Sequence, residues 1–169
     1  MSVLLLAALV MIFLIAGVDQ WIKLQILENF ALYQEKEFLK IGSLDILHLK
    51  YIANDGSAFS SFSGQTVFLV LVSLFGIVCC MYLLIRYGRT NKLFYASLVM
   101  ILGGALGNLI DRIFRDGLVV DYLDLQLFDF AIFNFADCFV TVGTVLLLIY
   151  ILFFMDRQEN PEKSEKQGE

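Results

Sequence analysis

The stretch TVFLVLVSLFGIVCCMYLLI (Thr66–Ile85), followed by RYGRTNK (Arg86–Lys92) and LFYASLVMILGGALGNLI (Leu93–Ile110), decides the class of this protein. Two long runs without Asp, Glu, Lys or Arg flank a short connection that carries only basic charge. Crossing the hydrocarbon core of a bilayer takes about 20 mostly apolar residues. Each run is therefore read as a membrane span, and the short connection makes the two an antiparallel helical hairpin. Further charge-free runs occupy residues 1–18 and 138–155, and the run containing the first of the two spans begins at Gly56. Together the four runs take up half of the 169 residues, with 59% of the chain hydrophobic, 17% charged and a mean hydropathy of +0.78. Soluble domains are about 45–50% apolar and about 25% charged. This composition excludes a soluble enzyme, a nucleic-acid binder, a disordered chain and a disulfide-stapled secreted module.

The expected architecture is an all-α membrane protein with four spans, about Val3–Val18 (reaching toward Trp21), Thr66–Tyr87, Leu93–Ile113 and Phe135–Met155. Residues 1–155 form one membrane domain that includes the loop region 19–65, and residues 156–169 form a disordered tail. The net charge of −5 divides unevenly. The segment Arg86–Lys92 is +3, whereas Asp19–Asp55 is −2, Asp111–Asp137 is −4 and the tail is −2. The positive-inside tendency puts Arg86–Lys92 and both termini in the cytoplasm, and the two acidic segments outside. The N-terminal run lacks a basic leader, so it is expected to be retained rather than cleaved. In the outer region, Leu44–Ile52 alternates partly and is bounded by turn residues, which predicts a strand with Phe38–Ile41 as partner. Val119–Leu123 reads as another short strand, so a small sheet is expected on the outer face.

Ionisable side chains at a membrane are costly and are functional candidates by default. Asp19 and Lys23 lie four apart and share a helix face, as an ion pair ending the first span or as a clamp beside a site. Asn54-Asp55-Gly56 is a turn able to present an amide. Gly103 and Gly107 form a small-xxx-small face for close helix packing, while Gly104, Asn108, Asp111 and Arg112 gather near one face of the third span. Asp121 sits between Val120 and Tyr122. Asn134 and Asp137 have the spacing of a capping box. His48 is the only histidine and reads as incidental, which weakens nucleophile–imidazole schemes. The three cysteines show neither a disulfide framework nor metal-ligand spacing. What remains is carboxylate chemistry by Asp121 and Asp137: two such groups near a low-dielectric boundary share a proton, one activating water and the other polarising a carbonyl.

These blocks, in order, are Asp19-Gln20…Lys23, Asn54-x-Gly56-x-Ala58-Phe59, Gly103-Gly104-x-x-Gly107-Asn108-x-x-Asp111-Arg112, Val120-Asp121-Tyr122 and Phe133-Asn134-x-Ala136-Asp137. From residue 5 to 155 the chain resembles the lipoprotein signal peptidases (signal peptidase II). The resemblance implies a bacterial inner-membrane aspartyl endopeptidase that cuts the signal peptide from a prolipoprotein just before a diacylglyceryl-modified cysteine. It implies Asp121 and Asp137 as the catalytic pair and Asn54, Gly56, Asn108, Arg112 and Asn134 as substrate-positioning or site-shaping residues. Asp19, Lys23, Gly104, Asp111 and Ala136 would be supports. The expected partners are the lipidated precursor and membrane lipid, for a monomer with no metal, no cofactor and no nucleic acid. Ser57, Tyr122 and Ala131 depart from the family's commoner residues. An ion- or proton-coupled transporter, a metal-dependent lipid enzyme and a structural subunit remain the rival readings.

Overall fold

The computed structural model describes residues 3–56, 62 and 64–155. Ser57, Ala58 and Phe59 of the second block and the tail 156–169 lie outside the described residues. Within them the chain runs α1 (Val3–Asn29), β1 (Glu35–Ile41), β2 (Leu44–Asn54), α2 (Thr66–Tyr87), α3 (Lys92–Phe114), β3 (Val119–Leu125) and α4 (Phe135–Phe153). All four helices are long and apolar enough to cross a membrane.

The central helix is α3. Half of its most apolar stretch is buried, against 28% for α1, 17% for α4 and 11% for α2. Sequence explains the ranking. Gly103 lies so close to α1 that a Cβ there would come within 2.8 Å of Ile15 Cβ, and small residues are what let helix backbones approach in lipid. Ala8, Ile12 and Ile15 of α1 pack with Leu98, Val99 and Leu102 of α3, Leu84 of α2 and Tyr150 of α4. Phe94 of α3 closes this core against Tyr150, ring centres 4.9 Å apart. Asn91 starts α3 by accepting the N–H groups of Leu93 and Phe94, a cap that satisfies otherwise orphaned donors.

At the opposite end of α3 from the basic connection, the strands form one antiparallel sheet in the order β1-β2-β3. Leu47–Asn54 of β2 pairs with Val119–Leu125 of β3, with Ile52 opposite Asp121 and an irregularity between Leu49 and Ile52. The edge strand β1 is exposed throughout and alternates charge at Glu35, Lys36, Glu37 and Lys40, a composition that discourages pairing with another chain. A second apolar cluster, Ile26, Val120 and Tyr122, joins the end of α1 to the sheet. The two acidic segments of the sequence thus come together at one end of the bundle.

The main difference from the sequence reading is α1. It continues to Asn29, well past Asp19 and Lys23, because those charges turn inward and find partners instead of marking the water boundary. His48 also has partners: its Nδ1 lies 2.5 Å from Glu35 Oε1 and its Nε2 2.9 Å from Asp45 Oδ2. These carboxylates hold its imidazole above the usual histidine pKa range.

Replacing Gly103 by Ala should cost about 1–3 kcal/mol through overpacking against Ile15. Gly76→Ala on α2, where an added Cβ meets no heavy atom within 4 Å, should cause no such loss. Thermal unfolding of the two purified variants in one detergent compares them, and equal midpoints would contradict the packing assignment.

Candidate active site

Lys23 is wholly buried, and its ammonium lies 2.8 Å from Asp19 and 2.8 Å from Asp111, both also at 0% exposure. A buried charge persists only when it is paired and hydrogen-bonded. Here two carboxylates face one lysine, and Arg115 supplies the second positive charge through Asp111 Oδ1. Gln20 completes the cluster: its amide donates to Asp111 Oδ1 at 2.8 Å and to the Gly107 carbonyl at 3.0 Å, and its oxygen accepts from Arg115 at 2.9 Å. Glycine is required at Gly107, because a Cβ would lie 2.6 Å from Asp19 Oδ2. Gly104 is the matching close approach to α4, facing the Ala136 carbonyl and Val140.

Each of the two buried acids also grips the backbone beside one of the sequence-predicted catalytic aspartates. Asp111 Oδ2 accepts the N–H of Val120 at 3.1 Å, one residue before Asp121. Asp19 Oδ1 accepts the N–H of Ala136 at 3.0 Å, one residue before Asp137. The ion cluster thereby fixes where β3 and α4 deliver their carboxylates.

Three asparagines connect the rest. Lys23 donates to Asn108 Oδ1 at 3.0 Å, as does Asn134 Nδ2 at 3.0 Å. A lysine only donates, so the oxygen of Asn108 must face it and the amide nitrogen must point the other way. That nitrogen donates to Asp137 Oδ1 at 2.7 Å. Asn134 caps α4 with the reciprocal bonds of a capping box, its Oδ1 accepting Asp137 N–H at 3.0 Å and its own N–H donating to Asp137 Oδ2 at 3.1 Å. The same side chain donates to Asp121 Oδ1 at 2.7 Å. Asn54, a diagonal neighbour of Asp121 across the β2–β3 pair, donates to Asp121 Oδ2 at 2.8 Å and accepts Gly56 N–H at 2.9 Å. Capping and site roles therefore coexist in Asn134.

Asp121 is 2% exposed. Burial, followed by the charge of Asp137, pushes its carboxyl up to about 7, while the amides of Asn54 and Asn134 pull in the opposite direction. Arg112 donates through Nη2 to the Gly56 carbonyl at 3.0 Å. Among the described residues its buried Nε has no hydrogen-bond partner, which leaves an N–H donor free for a ligand.

The structure thus brings together all of the sequence-predicted residues: Asp121 and Asp137 with Asn54, Gly56, Asn108, Arg112 and Asn134, backed by Asp19, Lys23, Asp111, Gly104 and Ala136. Within α3 the ion-pair partner of Asp111 is Arg115, four residues on, while the side chain of Arg112 turns toward Gly56. Gln20 and Arg115 were missed. Gln20 follows Asp19 directly and Arg115 follows Asp111 at helical i,i+4 spacing, so the second had a readable signal. Among the described residues, the donors that converge as metal ligands would are those of Glu37, Asp45 and His48, within 4.8 Å of one another. They lie on β1 and β2, on different elements from Asp121 and Asp137.

The chain matches the family model described as signal peptidase (SPase) II over residues 11–153. It is 42% identical over 145 residues to a lipoprotein signal peptidase of Lactococcus lactis subsp. cremoris, covering 84% of this chain and 92% of that protein. To the lipoprotein signal peptidase of Clostridioides difficile it is 37% identical over 149 residues, covering 86% and 95%. A solved structure described as a bacterial membrane enzyme superposes with a TM-score of 0.77 at 25% identity, covering 93% of this chain and 90% of that one. A second structure described the same way gives 0.76 at 27% identity, covering 88% and 94%.

Lys23→Met leaves Asp19 and Asp111 buried without their shared cation and should cost about 3–5 kcal/mol. Asp19→Asn keeps an acceptor for Ala136 N–H and leaves Lys23 paired with Asp111, so it should cost much less. Unfolding midpoints in detergent read the difference, and equal losses would remove the ion cluster from its structural role.

Proposed function

The chain belongs to the signal peptidase II family, and we propose that it removes the signal peptide from prolipoproteins with Asp121 and Asp137 as a water-activating pair. The observation that carries the reading is Asn134, whose side-chain amide donates to the Asp121 carboxylate while its backbone N–H donates to the Asp137 carboxylate. It ties β3 to the first turn of α4, so the two acids form a unit. A pair of neighbouring carboxylates that cannot both ionise shares one proton, and such a pair titrates jointly.

With one proton on the pair, the ionised carboxylate accepts a proton from water as the water oxygen attacks the scissile carbonyl. The protonated carboxyl gives its proton to the carbonyl oxygen, yielding a tetrahedral gem-diol. Collapse breaks the C–N bond as the carboxyl that took the water proton passes it to the leaving amine of the cysteine, while the ionised carboxylate takes a hydroxyl proton from the gem-diol, leaving the carboxylic acid product and one proton on the pair. The free Nε–H of Arg112 and the Asn54 turn are suited to hold the substrate backbone and the developing oxygen charge. A lipid-anchored cysteine would keep its peptide bond at the membrane boundary, which supplies the orientation that a general acid–base pair needs. The positive-inside tendency favours a cytoplasmic Arg86–Lys92 connection and a site on the outer side of the cell membrane. The apolar faces of the four helices would receive signal helix and acyl chains, the cut falling just before the diacylglyceryl-cysteine, in an enzyme working as a monomer.

Asp121→Asn and Asp137→Asn should each reduce cleavage of a diacylglyceryl-modified precursor to background, as read by gel shift, while the protein stays folded in detergent. Turnover near that of the parent in either variant would reject the pair. An unmodified precursor should be cut far more slowly than the modified one, and equal cleavage would reject lipid recognition.

The pH profile has a definite sign. The working state needs one proton on the pair, so kcat/KM should fall as pH rises through about 7, where Asp121 loses its proton. Asn54→Ala removes a hydrogen bond that favours the ionised form, so the alkaline limb should move to higher pH. A limb that stays in place would separate Asn54 from the proton on the pair.

A further inference from the structure

Beside Asp121 a cavity of about 510 Å³ opens on the sheet side of the site. Its walls are the end of β2, including Ile52 and Asp55, and the loop of residues 126–132, including Asp129, Phe130 and Ile132. Carboxylates at Asp55, Asp121 and Asp129 line it, and among the described residues no lysine or arginine does. The loop is built rather than draped. At its closing end, Phe133 accepts the N–H groups of Tyr122 and Leu123 at 3.0 and 2.8 Å and donates back to Leu123 at 3.1 Å. At its opening end, Gln126 N–H donates to the Ile46 carbonyl at 3.0 Å. The rings of Phe128, Phe130 and Phe133 stack edge to face at 6.0 and 5.8 Å, which holds the segment carrying Asp129 against the sheet.

This cavity lies outside the four apolar helices. A hydrophobic signal segment belongs against those helices, in hydrocarbon. A polar chain following the cleaved bond would leave toward water, at the end of the bundle where the sheet lies. We propose that the cavity receives the residue immediately after the lipid-bearing cysteine, and that Asp129 makes it select against an acidic side chain there. The inference rests on the peptidase reading above and adds a specificity determinant to it. Asp129 itself is exposed, so its effect is that of a solvated charge: real in selectivity, modest in size and screened by salt.

The test uses the full chain in mixed detergent–lipid micelles. Three diacylglyceryl-modified precursors differ only in carrying Lys, Gln or Glu after the cysteine. At low salt the parent enzyme should cut the Lys precursor about fivefold faster than the Glu precursor in kcat/KM, with Gln between, and added salt should close the gap. Asp129→Asn should narrow the ratio and Asp129→Lys should invert it. Equal rates for the three precursors with the parent enzyme, or a Lys-to-Glu ratio that survives Asp129→Lys unchanged, would overturn the proposal. Should Asp129→Lys fail to fold, Asp129→Asn and the salt series on the parent decide. Cleavage of none of the three would overturn the peptidase reading and this one with it, whereas cleavage without discrimination overturns only this one.

Discussion

Everything at this site depends on a lysine that cannot reach water. Lys23 is held between Asp19 and Asp111 at full burial, and each of those acids also accepts a backbone N–H next to a site aspartate, Asp19 with its other oxygen and Asp111 with the same Oδ2 that meets the lysine. An ammonium between two carboxylates gains little net stability from the attraction, since desolvation offsets most of it. What the arrangement supplies is position. Three elements far apart in sequence, α1, α3 and the start of α4, are locked to one another and to β3 by bonds too costly to leave unmade.

The helices make that lock possible. Gly103 and Gly107 on α3 give α1 room to come close, and Gly104 does the same for α4. A larger side chain at Gly107 would occupy the space of the Asp19 carboxylate. The glycine-rich turn of α3 is thus both packing surface and polar site. On the N-terminal side of the glycines, Phe94, Leu98 and Leu102 serve the apolar core, and on the other side Asp111 serves the ion cluster.

Much of this was legible in the sequence, and the reasons are physical. Charge-free runs of membrane length identify spans well because charge in hydrocarbon is costly; α2 begins and ends where the pattern predicts. The strands were readable from alternation and turn residues, though β1, β2 and β3 each extend beyond the predicted range. The site aspartates stood out because each is an acid in an apolar setting. The end of α1 was not legible, because Asp19 and Lys23 look like a water boundary unless Asp111, almost ninety residues away, is known to face them. Gln20 and Arg115 were hidden for the same reason. An amide and an arginine near a helix end are ordinary in sequence, and only the tertiary fold shows that both converge on Asp111. The exposed Asp129 gives no sequence signal, because its place beside Asp121 follows from how the loop folds back onto β3.

Asn134 must accept one bond with its oxygen, donate two with its nitrogen and begin a helix at the same time. Aspartate has the length but lacks the donors; glutamine has the donors but is a methylene too long to cap; serine caps but reaches neither neighbour with an amide. A position so constrained has almost no mutational neighbourhood. The exposed helix faces and the sheet's rim carry no comparable set of bonds, and there chemistry asks for little more than apolarity or charge.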